Sequence, residues 1–396
     1  MDLVQALNYF VAFFSVYVVV FYFLLLFTYK KNYEEEPPID ENFTPLVSII
    51  VPAYNEEKYI GKCLQTLLEL DYPKDKLDII VINDGSTDLT EEEAKKFEKY
   101  GVRVVTQKNA GKGAALNHGL KIAKGEFIVT MDADSYVLPK TLKQLLAFFK
   151  DDPEVMAVTP AIKIRPSNSL LVELQRIEYL MIIFSRKLLS FIDAVPVTPG
   201  PFSIFRASVF KKVGGFDEHN LVEDQEIALR IQKHHFKIRS SVKAEVYTNP
   251  PETIQDLIKQ RVRWQRGGVR NYWNYKHLIT PEYGDFGLFF VPLNFITLAS
   301  FFIVLGLMIN AIVNTPYYVS YIFIESIGMG VNPISVPLFF AGLASVAWLA
   351  LVLSSFKNEK VGIIPIILYY FFYWYLMLCY NLLLVYKELK HEKFSW

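Results

Sequence analysis

The chain has 396 residues, of which 52% are hydrophobic, 15% aromatic and only 21% charged, and its 41 basic and 41 acidic side chains cancel. That balance removes any general case for nucleic-acid binding, which calls for a basic surplus. Two cysteines, Cys63 and Cys379, exclude a disulfide framework, and the six histidines show no zinc-ligand spacing, in keeping with a reducing cytosolic face.

The apolar surplus is concentrated in runs. Residues 9–28 carry no charge, Glu325 is the one charge between Asp285 and Lys357, and residues 361–386 are again uncharged. Each run is long enough for the ~30 Å hydrocarbon core of a bilayer. The first reads as a retained helix and not a signal peptide, because Asp2 is the only charge ahead of it and no A-x-A site follows. Lys30 and Lys31 come next, so the positive-inside rule puts the N-terminus outside and the middle of the chain in the cytosol. The expected organisation is an N-terminal membrane helix (1–31), an acidic, proline-bearing linker (32–45), a cytosolic domain (46–275) and a C-terminal membrane region (276–396).

The cytosolic stretch alternates strand and helix patterns. Residues 46–51 read as a buried strand ending at PAYNEE, followed by a helix over about 58–70. Residues 77–82 form a second strand ending at NDGSTD, a polar helix covers about 90–100, and residues 102–106 make a third strand. The segment NAGKGAALN (109–117) then opens another helix, and FIVTMDADS (127–135) carries the fourth strand. Strands alternating with helices imply an α/β, doubly wound, mostly parallel sheet, with ligands at the strands' carboxyl ends. Asp132 and Asp134, two residues apart at such an end, suit Mg²⁺ or Mn²⁺ holding a diphosphate. An Asp-x-Asp pair by itself is as well explained by solvated turn acids, and Asn83-Asp84-Gly85 by an ordinary turn. The chemistry rests on their recurrence at successive strand ends.

VSIIVPAYNEE, IVINDGSTD, KNAGKGAALNHGL and VTMDADS, in this order and spacing, resemble the nucleotide-binding half of family 2 glycosyltransferases, which have the GT-A fold. The resemblance implies that Ala53, Tyr54, Glu56 and Asp84 line a uridine site, that Lys112 lies near the diphosphate or donor sugar, and that Asp134, with Asp132, holds the metal.

Residues 155–164 read as a further strand. Residues 170–189 read as a helix with a wide apolar face, packed on the sheet or lying along the membrane surface. TPGPFSIFR (198–206) reads as a turn and a short strand, and by resemblance Gly200 and Pro201 belong to the floor of an acceptor pocket. Glu223-Asp224 opens a helix, where acids are favoured by capping and the helix dipole. Membrane glycan synthases carry an acid–Asp pair at this point, which implies a catalytic pair with Asp224 as general base. This chain has Val222 where several relatives have Thr or Gly. In QRVRWQRGG (260–268), Gln260, Arg263 and Trp264 share a helix face. A basic interfacial helix with a tryptophan anchor is the plain reading. The sharper one is the Gln-x-x-Arg-Trp signature of synthases for cellulose, chitin, hyaluronan and poly-N-acetylglucosamine. It places Arg263, Gln260 and Arg261 toward the leaving diphosphate and Trp264 against the acceptor ring.

Residues 286–313, 333–356 and 361–386 supply three further spans, four in all. Residues 314–332 lack Lys and Arg, consistent with the outside, and Lys357 and Lys360 return the chain to the cytosol. A last crossing would put Lys387, Lys390 and Lys393 outside, so either the last segment is re-entrant or another span lies near residues 317–327. Together these readings point to a metal-dependent, inverting glycosyltransferase in the plasma membrane with its catalytic domain cytosolic. Its expected partners are a UDP-sugar, first of all UDP-N-acetylglucosamine, a growing glycan and the bilayer. Transfer of one sugar to a polyprenyl phosphate or other lipid is the alternative, and a non-catalytic membrane scaffold the second. No protein partner is indicated.

Overall fold

A computed structural model describes residues 3–314 and 335–390. In chain order the elements begin α1 (Leu3–Glu34), β1 (Val47–Ala53), α2 (Ile60–Leu68), β2 (Leu77–Asn83), α3 (Thr90–Lys95), β3 (Arg103–Thr106), α4 (Lys112–Ile122) and β4 (Phe127–Thr130). Then follow β5 (Tyr136–Val137), α5 (Thr141–Leu146), β6 (Val155–Lys163), α6 (Leu170–Leu189), β7 (Ile204–Arg206), α7 (Ala207–Val213), α8 (Glu223–Lys233), β8 (Lys237–Tyr247) and α9 (Ile254–Asn274). The last helices are α10 (Val291–Asn314), α11 (Ser335–Ser355) and α12 (Ile363–Leu389).

Two compact units result. One gathers α1 with the segment Ile279–Lys360, and the other joins Glu35–Leu278 to the chain from Val361 onward. In the first unit, aromatic side chains pack between helices: Phe21 stacks on Phe289 with ring centroids 3.5 Å apart, and Tyr22 and Phe23 both flank Trp348. Three described helical stretches are long and apolar enough to cross a membrane: Leu3–Tyr33, Phe286–Leu307 and Ile363–Leu389. The fourth expected span is helical over Ser335–Ser355. The stretch 315–334, with the further span considered near 317–327, and Lys393 lie outside the described residues.

The second unit is built on one eight-stranded sheet of order β3-β2-β1-β4-β7-β6-β8-β5. Its first four strands are parallel, in a register that aligns Val47 with both Leu77 and Phe127. Helices cover both faces, which is why these strands read as unbroken apolar runs. Ile49, Val51 and Val129 meet α2 on one face, and Ile50, Ile80 and Ile128 meet α4 and α8 on the other. Ser48 pins the register, since its hydroxyl accepts from the amides of Lys124 and Gly125 and donates to Asp78 at 2.6 Å. Gly125 is required there because a Cβ would lie 2.4 Å from the Ser48 nitrogen. This crossing sets how far along β4 the chain has run when it reaches Asp132.

The second half of the sheet departs from simple parallel winding. β7 runs antiparallel to both β4 and β6, β8 is parallel to β6, and the two-residue β5 closes the edge against β8. The reversal at β7 follows from the loop 198–203, which returns along β4: Phe202 donates its N–H to the Thr130 carbonyl at 2.8 Å, and Thr130 donates its own to Ser203.

The acidic segment 32–45 is not a free linker. α1 runs to Glu34, and the acids beyond it are tied down. Glu36 is bridged by Lys187 of α6 at 3.1 Å and accepts from Ser241 and the Val242 amide at 2.6 Å each, while Asp40 pairs with Lys150 and Glu41 with Lys143. α6 itself packs on β6 and β8 and against α12.

The Glu36–Lys187 bridge is almost wholly buried, at 4% and 3% side-chain exposure. Removing one partner of such a pair leaves an uncompensated buried charge, worth about 3–5 kcal/mol. Lys187→Met should therefore lower the thermal midpoint of the detergent-purified chain more than the double variant Lys187→Met/Glu36→Gln does. An equal or greater loss in the double variant would show that the charge pairing is not what holds the segment.

Candidate active site

Parallel pairing brings the ends of β1, β2 and β4 to one edge, and the loops that follow are laced together there. Asn55, held at φ 57°, accepts from the Thr87 amide at 2.8 Å, and the Glu56 amide donates to Thr90 at 2.7 Å. Asp84 is buried and accepts from Gln107 at 2.7 Å and from the amides of Ala110 and Gly111 at 2.9 and 2.8 Å. One carboxylate thus shapes the glycine loop that delivers Lys112 into the first turn of α4. Gly111 sits at φ 92°, a conformation that favours glycine.

A cavity of about 530 Å³ opens at this edge, and Ala53, Tyr54, Glu56, Asp84, Lys112, Asp132 and Asp134 all line it. A second cavity, of about 410 Å³, adjoins it, sharing Lys112, Asp132 and Asp134 and continuing past Gly200, Pro201, Glu223, Asp224, Gln260, Arg263 and Trp264. The seam between the two is an ion cluster. The Lys112 ammonium lies 2.7 Å from Asp132 and 3.3 Å from Glu223. Gly200 is pressed against this pair, and a Cβ there would lie 2.5 Å from an Asp132 oxygen and 2.6 Å from the Lys112 nitrogen.

Glu223 and Asp224 begin α8, with backbone help from the loop before β7: both the amide and the hydroxyl of Thr198 donate to the Asp224 carbonyl, at 3.1 and 3.0 Å. α9 is docked on the same entry loop. Gly267 lets it approach so closely that a Cβ would lie 2.4 Å from Val222 Cγ2. Asn271 donates to the Gln225 side chain at 3.1 Å and accepts from Asn220 at 2.8 Å. This contact holds Arg263, which donates to the Leu221 carbonyl at 3.1 Å, and Trp264 at the mouth of the second cavity.

Arg261, expected on the donor side, faces elsewhere. It is buried and ion-paired with Glu178 of α6, which also accepts from the Tyr373 hydroxyl of α12 at 2.8 Å. Its guanidinium covers the Trp264 ring at 4.2 Å and donates to the Gln260 side chain. Two residues apart on a helix, Arg261 and Arg263 point in well-separated directions. Among the cavity residues that escaped the sequence reading are Tyr179 and Arg186, both on α6. Their signal was a helix whose apolar face carries an arginine.

The electrostatics mark the cluster as short of positive charge. Burial, then the neighbouring Asp132, pushes the Asp134 carboxyl up to about 6 against the support of the Ser135 hydroxyl. Burial, then Asp134 and Asp132, raises Glu56 to about 7. Burial, then Glu223, raises Asp224 to about 6. Lys112 moves the other way: the carboxylates of Asp132, Glu223 and Asp224 raise it well above the ordinary lysine range although burial opposes them. No group of three or more metal-ligating side chains occurs among the described residues. Asp132 and Asp134 with Glu56 nearby still fit Mg²⁺ or Mn²⁺, hard ions that take one or two carboxylates and complete their shell with phosphate oxygens and water.

Over part of its length the chain is similar to known proteins. Residues 48–214 match the family model "Glycosyl transferase family 2". The poly-beta-1,6-N-acetyl-D-glucosamine synthase of Staphylococcus epidermidis is 34% identical over 235 residues, 58% of this chain and 57% of that protein. The synthase of the same name from Staphylococcus aureus (strain COL) is 32% identical over 275 residues, 68% of this chain and 66% of that protein. The matched region thus spans less than two thirds of these relatives' length. Among solved structures, the mannosyltransferase PcManGT from Pyrobaculum calidifontis, in complex with GDP-Man and Mn²⁺, shares the fold with a TM-score of 0.66. Its identity is 20%, over 90% of this chain and all of that one.

The raised carboxyls give a signed expectation. A carboxyl with a raised pKa favours the fold fully below its unfolded range, near 4, and that contribution is lost as pH rises through the folded values of about 6 and 7 for Asp134 and Glu56. In EDTA the thermal midpoint should fall between pH 5.5 and 8, and Glu56→Gln should flatten that fall. Added Mn²⁺ should raise the midpoint more at pH 8 than at pH 5.5. Equal Mn²⁺ shifts at both would show that the carboxylates do not take up the ion.

Proposed function

We propose that this chain, whose residues 48–214 match the family model of glycosyl transferase family 2, is an inverting, processive transferase. It moves N-acetylglucosamine from UDP-N-acetylglucosamine to the end of a growing β-linked glycan. The observation that carries this reading is the pair of adjoining cavities with one charged seam, a donor side ending at Asp132 and Asp134 and an acceptor side lined by Asp224 and Trp264. The two staphylococcal relatives named as poly-beta-1,6-N-acetyl-D-glucosamine synthases support the choice of sugar and polymer.

The residues divide the work as follows. Ala53, Tyr54, Glu56 and Asp84 surround the uridine, and Asp84 additionally holds the glycine loop. Asp132 and Asp134 would hold Mg²⁺ or Mn²⁺, which would supply positive charge to the departing diphosphate. Lys112 and Arg263 add fixed positive charge from the chain itself. Gln260 and Trp264 seat the acceptor ring above Gly200 and Pro201, and Arg261 acts behind them by fixing the Trp264 plane. The acceptor hydroxyl attacks the anomeric carbon from the face opposite UDP. The new C–O bond forms as the bond to the diphosphate breaks, and Asp224 takes the hydroxyl proton. Its raised pKa makes it a better proton acceptor than an ordinary aspartate while leaving it ionised at neutral pH. Glu223 keeps Lys112 at the seam.

The charge pattern supports a membrane protein with this domain in the cytosol. Lys30, Lys31, Lys357 and Lys360 flank apolar helices on the side assigned to the cytosol.

Asp224→Asn should cut transfer by about 10²–10⁴-fold and leave UDP binding intact; undiminished transfer would refute its role as base. In the wild-type chain kcat/KM should fall on the acid side with a limb near pH 6, because protonated Asp224 cannot accept the proton. UDP release followed by sizing of the product tests the rest. A ladder of long products supports polymerisation, whereas a single lipid-linked sugar would replace it with one-step transfer.

A further inference from the structure

Buried cations in the second unit come with carboxylates. Arg176 has Glu173 at 2.9 Å, Lys187 has Glu36 at 3.1 Å, Lys163 has Glu245 at 2.5 Å and Arg261 has Glu178. Arg186 on α6 is the exception. It is 4% exposed, and among the described residues no carboxylate bridges it. One of its terminal nitrogens donates to the Pro160 carbonyl at 2.7 Å, and its Nε is buried with no partner among the described residues. Burial pushes the guanidinium down to about 10 even with Asp224 and Tyr179 acting on it. An unpaired buried guanidinium costs several kcal/mol, and its fork of donors is an obligation that something must meet.

Arg186 lines the acceptor-side cavity, on the same helical face as Tyr179 and Ile183, and Asp224 lines it too. That cavity is walled by three cations (Lys112, Arg186, Arg263) and four carboxylates (Asp132, Asp134, Glu223, Asp224), with aromatic faces from Tyr179, Trp264 and Tyr272. Such a lining suits an uncharged sugar better than a phosphate, since rings stack on aromatics and the net charge is not positive.

We propose that Arg186 is a specificity-determining residue: its unused N–H donors bind an oxygen of the terminal acceptor sugar, the acetamido carbonyl when that sugar is N-acetylated. This rests on the reading that the second cavity takes the acceptor. A de-N-acetylated end lacks the carbonyl that accepts these bonds, so the acetylated sugar is preferred.

The test is binding of short N-acetylglucosamine oligosaccharides, and of the same oligosaccharides de-N-acetylated, to the full-length chain in detergent. Tryptophan fluorescence in the presence of UDP reads it out. Wild type should prefer the acetylated ligand. Arg186→Met should weaken that ligand about tenfold or more, narrow the preference, and leave UDP affinity unchanged. Arg186→Lys, which keeps the charge without the fork, should also weaken the acetylated ligand and narrow the preference, and it serves if the Met variant fails to fold. Unchanged oligosaccharide affinity in either variant would overturn the proposal, as would a wild type that binds both ligands equally or neither. A pH profile separates the remaining role: a shifted acid limb with unchanged oligosaccharide affinity means that Arg186 acts on Asp224 alone. Arg186-dependent binding without UDP release from UDP-N-acetylglucosamine would sink the donor assignment and leave this one standing.

Discussion

The ammonium of Lys112, set between Asp132 at the end of β4 and Glu223 at the start of α8, is the contact on which the site's geometry depends. It joins two structural ideas that are otherwise independent. One is the parallel half-sheet, whose carboxyl edge supplies Asp84, Asp132 and Asp134. The other is the helix pair α8–α9, which supplies Asp224, Arg263 and Trp264. Four carboxylates line the second cavity, and without a fixed cation at the seam their mutual repulsion would drive the edge and the helix start apart. The lysine comes from a glycine loop because only a backbone held by Asp84 and turned at Gly111 reaches this seam. Gly200 is the third member, since its missing side chain leaves the space in which Asp132 and Lys112 meet.

Much of this was legible in the sequence, for a physical reason. In the parallel half of the sheet a loop's position follows from its strand, so PAYNEE, NDGSTD and MDAD could be assigned to one edge before any coordinates. The acid pair at a helix start and the Arg-Trp on a helix face were also singled out by their chemistry, and the structure brings them to one cavity. What the sequence did not separate was direction. Arg261 and Arg263 differ by two residues, but one turns inward to Glu178 and the other reaches the cavity. α6 posed the same problem. Its apolar stripe is compatible with a sheet, a membrane surface or a cavity wall, and only its neighbours decide. Here it packs on β6 and β8 while lending Tyr179 and Arg186 to the cavity.

The acidic segment after α1 teaches a related lesson. Prolines and acids read as a solvated linker because sequence shows composition and not partners. Glu36 is buried because Lys187, Ser241 and the Val242 amide converge on it from α6 and β8, which lie 150 and more residues away. β8 itself was unread, although KIRSSVKAEVY shows a partial period of two in its burial. Its charged residues hid a strand that is central to the mixed half of the sheet.

The apolar helix α12 belongs to the globular unit and not with the other apolar helices, and the reason is specific. Its Tyr373 hydroxyl donates to the Glu178 carboxylate that pairs with Arg261, and its Glu388 pairs with Arg266 at 2.6 Å. Arg261 in turn covers the ring of Trp264. A displacement of α12 relative to α9 must therefore break the Tyr373–Glu178 hydrogen bond and the Arg266–Glu388 pair, or carry Glu178 and its partner Arg261 along. Glu178 thus links the Trp264 ring, through Arg261, to α12, through the Tyr373 hydroxyl.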